Sequence, residues 1–289
     1  MTNVKDKKIR HFFLIPFAAV FAILLVEAIT FALFVEPFVY DGIVSSDVLF
    51  LLQYGKSIFS WLCIFIYCLI LERPLLKSFW HMKQGGLSGN TIKNLLFGMG
   101  IGLAMNGLCA LVAFLHGDLT LSFAGFSPVY QIVGLIVVFI QSGGEELLMR
   151  GYFMGAIQSR YGTVWGLILN AALFAALHGS NKGITVLAVI RLLCVSVVYG
   201  LLVTKYKSLW MAMGIHTTWN YTQSLLLGLP NSGIASEKAL LHLDASRGSI
   251  FYNDVFGLEG GITGFLVFVV LLAIIILAPI QGKSTVSSK

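Results

Sequence analysis

Three polar clusters stand inside apolar runs, and their residue types could do acid–base chemistry. The first is Gly143-Gly144-Glu145-Glu146-Leu147-Leu148-Met149-Arg150. The second is Phe174-Ala175-Ala176-Leu177-His178, with Asn181 three residues on. The third is His216-Thr217-Thr218-Trp219-Asn220, with Gln223 extending the same polar stripe. A carboxylate and an imidazole can hold a water and deprotonate it. A second imidazole and an amide can donate hydrogen bonds to an oxyanion. A Glu, two His and an Asn therefore suit amide hydrolysis. Glu145, His178 and His216 could instead ligate zinc, although no H-E-x-x-H stretch occurs.

Two carboxylates and an arginine cost roughly 2.5–3.5 kcal/mol each to insert into a membrane helix, so their presence marks a function or a buried pair. On a helix Glu146 and Arg150 lie at i and i+4 and can pair. The i+4 neighbour of Glu145 is Met149, so this carboxylate is expected to lack an intrahelical partner and to be free for chemistry. The bland alternative is that both glutamates, like the His216 stripe, only hold helices together. Depth allows the clusters to meet. At 1.5 Å per residue, His216 lies roughly 12 Å from the inner end of its span, and His178 and Glu145 roughly 22 Å from theirs. That estimate requires the helix of Glu145 to continue past Arg150 toward Arg160. All three clusters then sit at middle depth in an apolar core about 30 Å thick.

The elements that carry them are membrane spans. The chain is 57% hydrophobic and 11% charged, against about 25% charged in soluble domains. Eight spans are expected: roughly 12–35, 50–71, 95–115, 129–160, 163–178, 184–204, 208–229 and 261–280. A short interfacial helix is expected around Leu75 to Met82, ended by Gln84-Gly85-Gly86. Glycines in the third span permit close helix packing. Glu27 and Arg191 fall inside spans, so they are expected to face the bundle. Arg191 would pair with Glu27 or with the Glu145–Glu146 pair, or else reach an interface. Cys63, Cys68, Cys109 and Cys194 all lie in apolar segments and form no C-x-x-C pair, which disfavours disulfide and metal roles. The net charge of +6 reads as a topology signal. Without interleaved basic and aromatic residues, no nucleic-acid partner is expected.

The three clusters, in order, resemble the signature of the CPBP family, the CAAX proteases and bacteriocin-processing enzymes also called Abi. Its motifs E-E-x-x-x-R, F-x-x-x-H and H-x-x-x-N stand here as Glu145-Glu146…Arg150, Phe174…His178 and His216…Asn220. The resemblance implies an all-α membrane protein of about eight helices that acts as an intramembrane endopeptidase. It implies that Glu145 activates water, that His178 assists, and that His216 and Asn220 form the oxyanion site. Glu146, Arg150 and Asn181 would support them. The expected organisation is residues 1–128 as the first three spans with the interfacial segment, 129–229 as the catalytic core, and 230–289 as an external loop, the last span and a tail. The expected partners are a membrane-associated peptide or protein substrate and the lipid bilayer. Leader peptides, bacteriocins or membrane-anchored regulators are better expected substrates than prenylated CAAX proteins. No cofactor is expected; zinc on Glu145, His178 and His216 is the alternative. Two rival functions are an ion- or proton-coupled transporter, against which no inverted repeat is found, and a non-catalytic immunity or scaffold protein of the same fold.

Eight spans place both termini on one side. That side collects most of the Lys and Arg, while the other collects only Lys182, Lys238 and Arg247. By the positive-inside rule both termini are cytoplasmic in the cell membrane, and 230–259 faces outward. A cysteine placed at Ser236 should then be labelled by an impermeant thiol reagent on intact cells. Labelling only after permeabilisation would reverse the topology.

Overall fold

Four helices in this chain begin at a capping hydroxyl. Ser45, Thr91, Thr185 and Ser208 each accept a hydrogen bond from the backbone N–H three residues on, at Val48, Asn94, Ala188 and Met211. The computed structural model describes residues 14–40, 42–70 and 88–278. The expected interfacial helix near Leu75 to Met82 lies outside the described residues. The helices are α1 (Leu14–Phe34), α2 (Glu36–Tyr40), α3 (Ser46–Gly55), α4 (Ile58–Ile70), α5 (Ile92–His116), α6 (Pro128–Glu146), α7 (Met154–Tyr161), α8 (Thr163–Leu177), α9 (Val186–Tyr206), α10 (Leu209–Tyr221) and α11 (Ile262–Leu277). A π-helical stretch, Leu147–Phe153, joins α6 to α7, so Pro128–Tyr161 is one helix, as the depth estimate required. A second π stretch, Thr222–Leu226, continues α10.

The fold is an all-α membrane bundle. Among the described residues, five helical runs are long and apolar enough to cross a bilayer: Leu14–Phe34, Ser46–Ile70, Ile92–His116, Pro128–Tyr161 and Val186–Tyr206. Thr163–Leu177 and Ile262–Leu277 are apolar but shorter. The backbones of α5 and α10 touch. A Cβ added at Gly98 would lie 2.3 Å from the Met211 carbonyl oxygen, and one at Gly214 would lie 2.3 Å from the Leu95 carbonyl oxygen. At Gly102 it would meet the Ile215 carbonyl oxygen at 2.3 Å. This is the close packing that small residues permit in membranes.

Segment 230–259 is not the simple loop expected. β2 (Leu241–Ser246) pairs antiparallel with β1 (Leu119–Phe123), from Leu119 opposite Ser246 to Phe123 opposite Leu241. Buried Asp118 ties the pair to the bundle, with its carboxylate accepting from Ser249 Oγ and lying 3.0 Å from His116 Nδ1. Burial alone would raise the Asp118 carboxyl. The hydrogen bonds from Ser249 and His116 outweigh that and hold it below the ordinary carboxylate range. A depressed folded value means that its contribution to stability is present at neutral pH and is lost as pH falls through that value.

The same segment corrects the partner of Arg191. The arginine is 2% exposed and faces the bundle, as expected, but it pairs with Glu259 at 3.5 Å rather than with Glu27 or Glu145–Glu146. The rings of Trp219 and Phe268 lie 4.5 and 5.0 Å from its guanidinium carbon. Glu27 is satisfied separately, by Ser60 at 2.6 Å and Ser57 at 3.3 Å, with Lys56 at 3.9 Å. Ser236 is also buried, beneath Tyr130. The reporter cysteine for topology therefore belongs at the exposed neighbour Glu237.

The backbone contact of α5 and α10 is testable by methyl groups. Gly98→Ala and Gly214→Ala should each lower stability by about 1–3 kcal/mol, as overpacking does. Gly100→Ala and Gly107→Ala, where an added Cβ meets nothing within 4 Å, should be neutral or better. Melting in detergent reads all four, and equal melting of the two sets would contradict the contact.

Candidate active site

α6 reaches the site through two glycines. A Cβ at Gly143 would lie 2.9 Å from the Trp61 ring, and one at Gly144 would lie 3.1 Å from its Nε1. Trp61 Nε1 instead donates to the Ile140 carbonyl at 2.8 Å. The glycine pair thus lets α6 pack on α4, and Glu145 and Glu146 follow at once. The chain then widens into the π stretch, whose residues are all buried. Such π turns recur at functional sites.

The two glutamates part ways. Glu146 is fully buried, and its Oε1 accepts from Arg150 Nη1 at 2.9 Å, which is the i,i+4 pair expected. The same oxygen lies 3.0 Å from His216 Nδ1. A carboxylate paired with a guanidinium accepts and does not donate, so the proton between them sits on Nδ1. Glu146 therefore has a second task beyond its expected pairing: it fixes the orientation and tautomer of His216. Arg150 lies over the Phe174 ring at 4.2 Å and the Tyr199 ring at 5.3 Å. Phe174 in turn lies against His178, with ring centroids 4.6 Å apart and planes tilted by 47°, and its carbonyl oxygen lies 2.8 Å from His178 Nδ1. The aromatic residue of the second motif thereby couples the arginine of the first to its own histidine.

Glu145 is more open, with 31% of its side chain exposed. It does have a partner within its own helix, contrary to the expectation from i+4 alone. Gln141, one turn earlier, donates from Nε2 to Glu145 Oε1. The other oxygen, Oε2, finds no hydrogen-bond partner among the described residues and faces His216 Nε2 across 4.0 Å. That separation is too long for a direct hydrogen bond, and Oε2 itself is closed off from solvent.

Asn220 reaches the same place from α10. Its Nδ2 donates to Gln141 Oε1 at 3.2 Å and to Ser142 Oγ at 3.0 Å, which engages both amide hydrogens. Glu145, His216, Asn220, His178 and Asn181 all line one cavity of about 890 Å³, shared with Gln141. Motifs far apart in sequence are thus brought to one wall, with His178 and Asn181 contributed from the end of α8 and the turn after it. Zinc on Glu145, His178 and His216 would need all three on one ion. Among the described residues no three His, Cys, Asp or Glu side chains converge closely enough to hold a metal.

The reading of the sequence missed Gln141 and Ser142. Their signal was present: two polar residues in an apolar run, with Gln141 at i−4 from Glu145.

A comparison with protein families matches residues 127–222 to the family described as Rce1-like, type II CAAX prenyl endopeptidase. The match spans a third of the chain and contains all three motifs. Neither a search of curated proteins nor one of solved structures finds a match. The resemblance carried by Glu145-Glu146…Arg150, Phe174…His178 and His216…Asn220 therefore agrees with an independent family match over the segment that contains all three motifs.

Proposed function

We propose that this chain hydrolyses peptide bonds of membrane-associated substrates with a water held between Glu145 and His216. The observation that supports it most directly is the pair Glu145 Oε2 and His216 Nε2, 4.0 Å apart on the wall of the shared cavity. Glu145 Oε2 takes a proton from the water, whose oxygen attacks the scissile carbonyl carbon. Negative charge grows on the carbonyl oxygen, and His216, in its imidazolium form with Nδ1–H held by Glu146, donates to it from Nε2–H. The proton on Glu145 passes to the leaving nitrogen as the C–N bond breaks, which restores the carboxylate. With Nδ1–H on the Phe174 carbonyl, His178 presents Nε2 to the cavity and assists proton transfer at the leaving group. The chemistry needs no metal. The substrates proposed are leader peptides and membrane-anchored regulators, and the CAAX prenyl peptides named in the family description provide a second probe.

Purified protein in detergent can be given two fluorogenic peptides, one anchored by an apolar helix and one by a farnesylated cysteine. Glu145→Gln should keep the parental melting temperature and lose about 10²–10⁴ in single-turnover rate, as loss of a general base does. Glu146→Gln should lower stability, because stranding Arg150 as a buried unpaired charge costs roughly 3–5 kcal/mol, and it should also slow cleavage by releasing His216. Parental cleavage by Glu145→Gln would sink the mechanism. A separate measurement addresses metal. Exhaustive chelation should leave the rate unchanged, whereas loss on chelation with recovery on adding zinc would replace this mechanism by the zinc alternative.

A further inference from the structure

We infer that Gln141 is the positioning residue for Glu145, and that Asn220 acts on the reaction by holding Gln141. This rests on Glu145 being the base. Gln141 and Glu145 are one helical turn apart and share a face of α6. The orientation of the Gln141 amide is set by its neighbours. Nε2 donates to Glu145 Oε1. Oε1 accepts from Ser142 Oγ at 3.0 Å and from Asn220 Nδ2 at 3.2 Å. The reversed amide would set an oxygen against a carboxylate and one NH₂ against another, so only this assignment satisfies every group.

Two consequences follow for Glu145. Its side chain would otherwise be free to sample rotamers in an open cavity, and the bond from Gln141 holds it by one oxygen. That leaves Oε2, buried and without a hydrogen-bond partner among the described residues, as the oxygen that faces His216 Nε2. The geometry thus decides which oxygen takes the proton. The bond also passes alignment from α10 to α6. Asn220 gives one amide hydrogen to Gln141 and the other to Ser142, so a shift of α10 would drag the base with it. An Asn220 with both hydrogens engaged this way orients the base and does not meet the oxyanion.

The test uses three measurements on the full chain with the helix-anchored fluorogenic peptide: kcat and KM, peptide binding by anisotropy in the Glu145→Gln background, and melting temperature. Gln141→Met keeps the length and removes both functions. It should lower kcat about 10- to 100-fold, as a misplaced catalytic group does, while KM and peptide binding to the Glu145→Gln form stay within about twofold. Weakened binding with kcat intact would make Gln141 a substrate contact and overturn the inference. Parental kcat would overturn it too, while an inactive Glu145→Gln alongside would leave the base assignment standing. Parental cleavage by Glu145→Gln would instead remove the base assignment itself. A readout independent of turnover guards against misfolding. Gln141→Glu sets two carboxylates together and should melt lower. The exchange variant Gln141→Glu with Glu145→Gln rebuilds an amide–carboxylate bond of reversed polarity. It should recover that melting temperature yet remain unable to cleave. Failure to recover would show that the two side chains are not bonded.

Discussion

One carboxylate oxygen carries more of this structure than any other atom. Glu146 Oε1 takes both the Arg150 guanidinium and the His216 imidazole in a place with no solvent. An unpaired charge there would cost several kcal/mol, so neither partner can leave without stranding another. Arg150 has one nitrogen hydrogen-bonded to Glu146, finds no hydrogen-bond partner for Nε and Nη2 among the described residues, and lies over the faces of Phe174 and Tyr199. Through those contacts one buried acid ties together α6, α8, α9 and α10. The more open acid beside it is left with one oxygen for chemistry.

The candidate residues that the structure brings to one cavity were legible because charge and amide groups in apolar runs are costly and therefore conspicuous. Eight apolar segments could be marked, and the helix of Glu145 could be extended past Arg150, from hydrophobic run length alone. What could not be read was which distant groups meet. Arg191 was expected to face the bundle, and it does, yet its partner Glu259 lies 68 residues away in a segment expected to be loop. Nothing in local periodicity reports that β2 returns to pair with β1. Glu145 shows a different failure. The helical rule runs both ways along the chain, and looking only toward Met149 hid Gln141 on the other side.

The π stretches account for another difference. A regular helix would place Leu147 to Phe153 by steps of 100°. The widened turn carries these residues around so that all are buried, with Leu148 and Met149 at the cavity wall. The stretch after Tyr221 does the same for Gln223, whose Oε1 accepts from Asn106 at 3.0 Å on α5. The first widened turn contains Arg150, and the second begins two residues past Asn220. Their position is set by tertiary packing, which no window of sequence contains.

The touching backbones of α5 and α10 have a mechanical consequence. Two helices in contact through main-chain atoms at Gly98, Gly102 and Gly214 have no side-chain layer to shear, so they behave as one stiff beam. His216 and Asn220 are mounted on that beam, and Glu145 is strapped to it through Gln141. The cavity that these side chains line is bounded as well by residues of α1 and α3 and by residues 231–235. Movement of those elements relative to the beam would leave the spacing of Glu145, His216 and Asn220 unchanged, whereas His178, at the end of α8, is not tied to it. The width of the cavity and the spacing of these three side chains are thereby set by different contacts, and changes in one need not disturb the other.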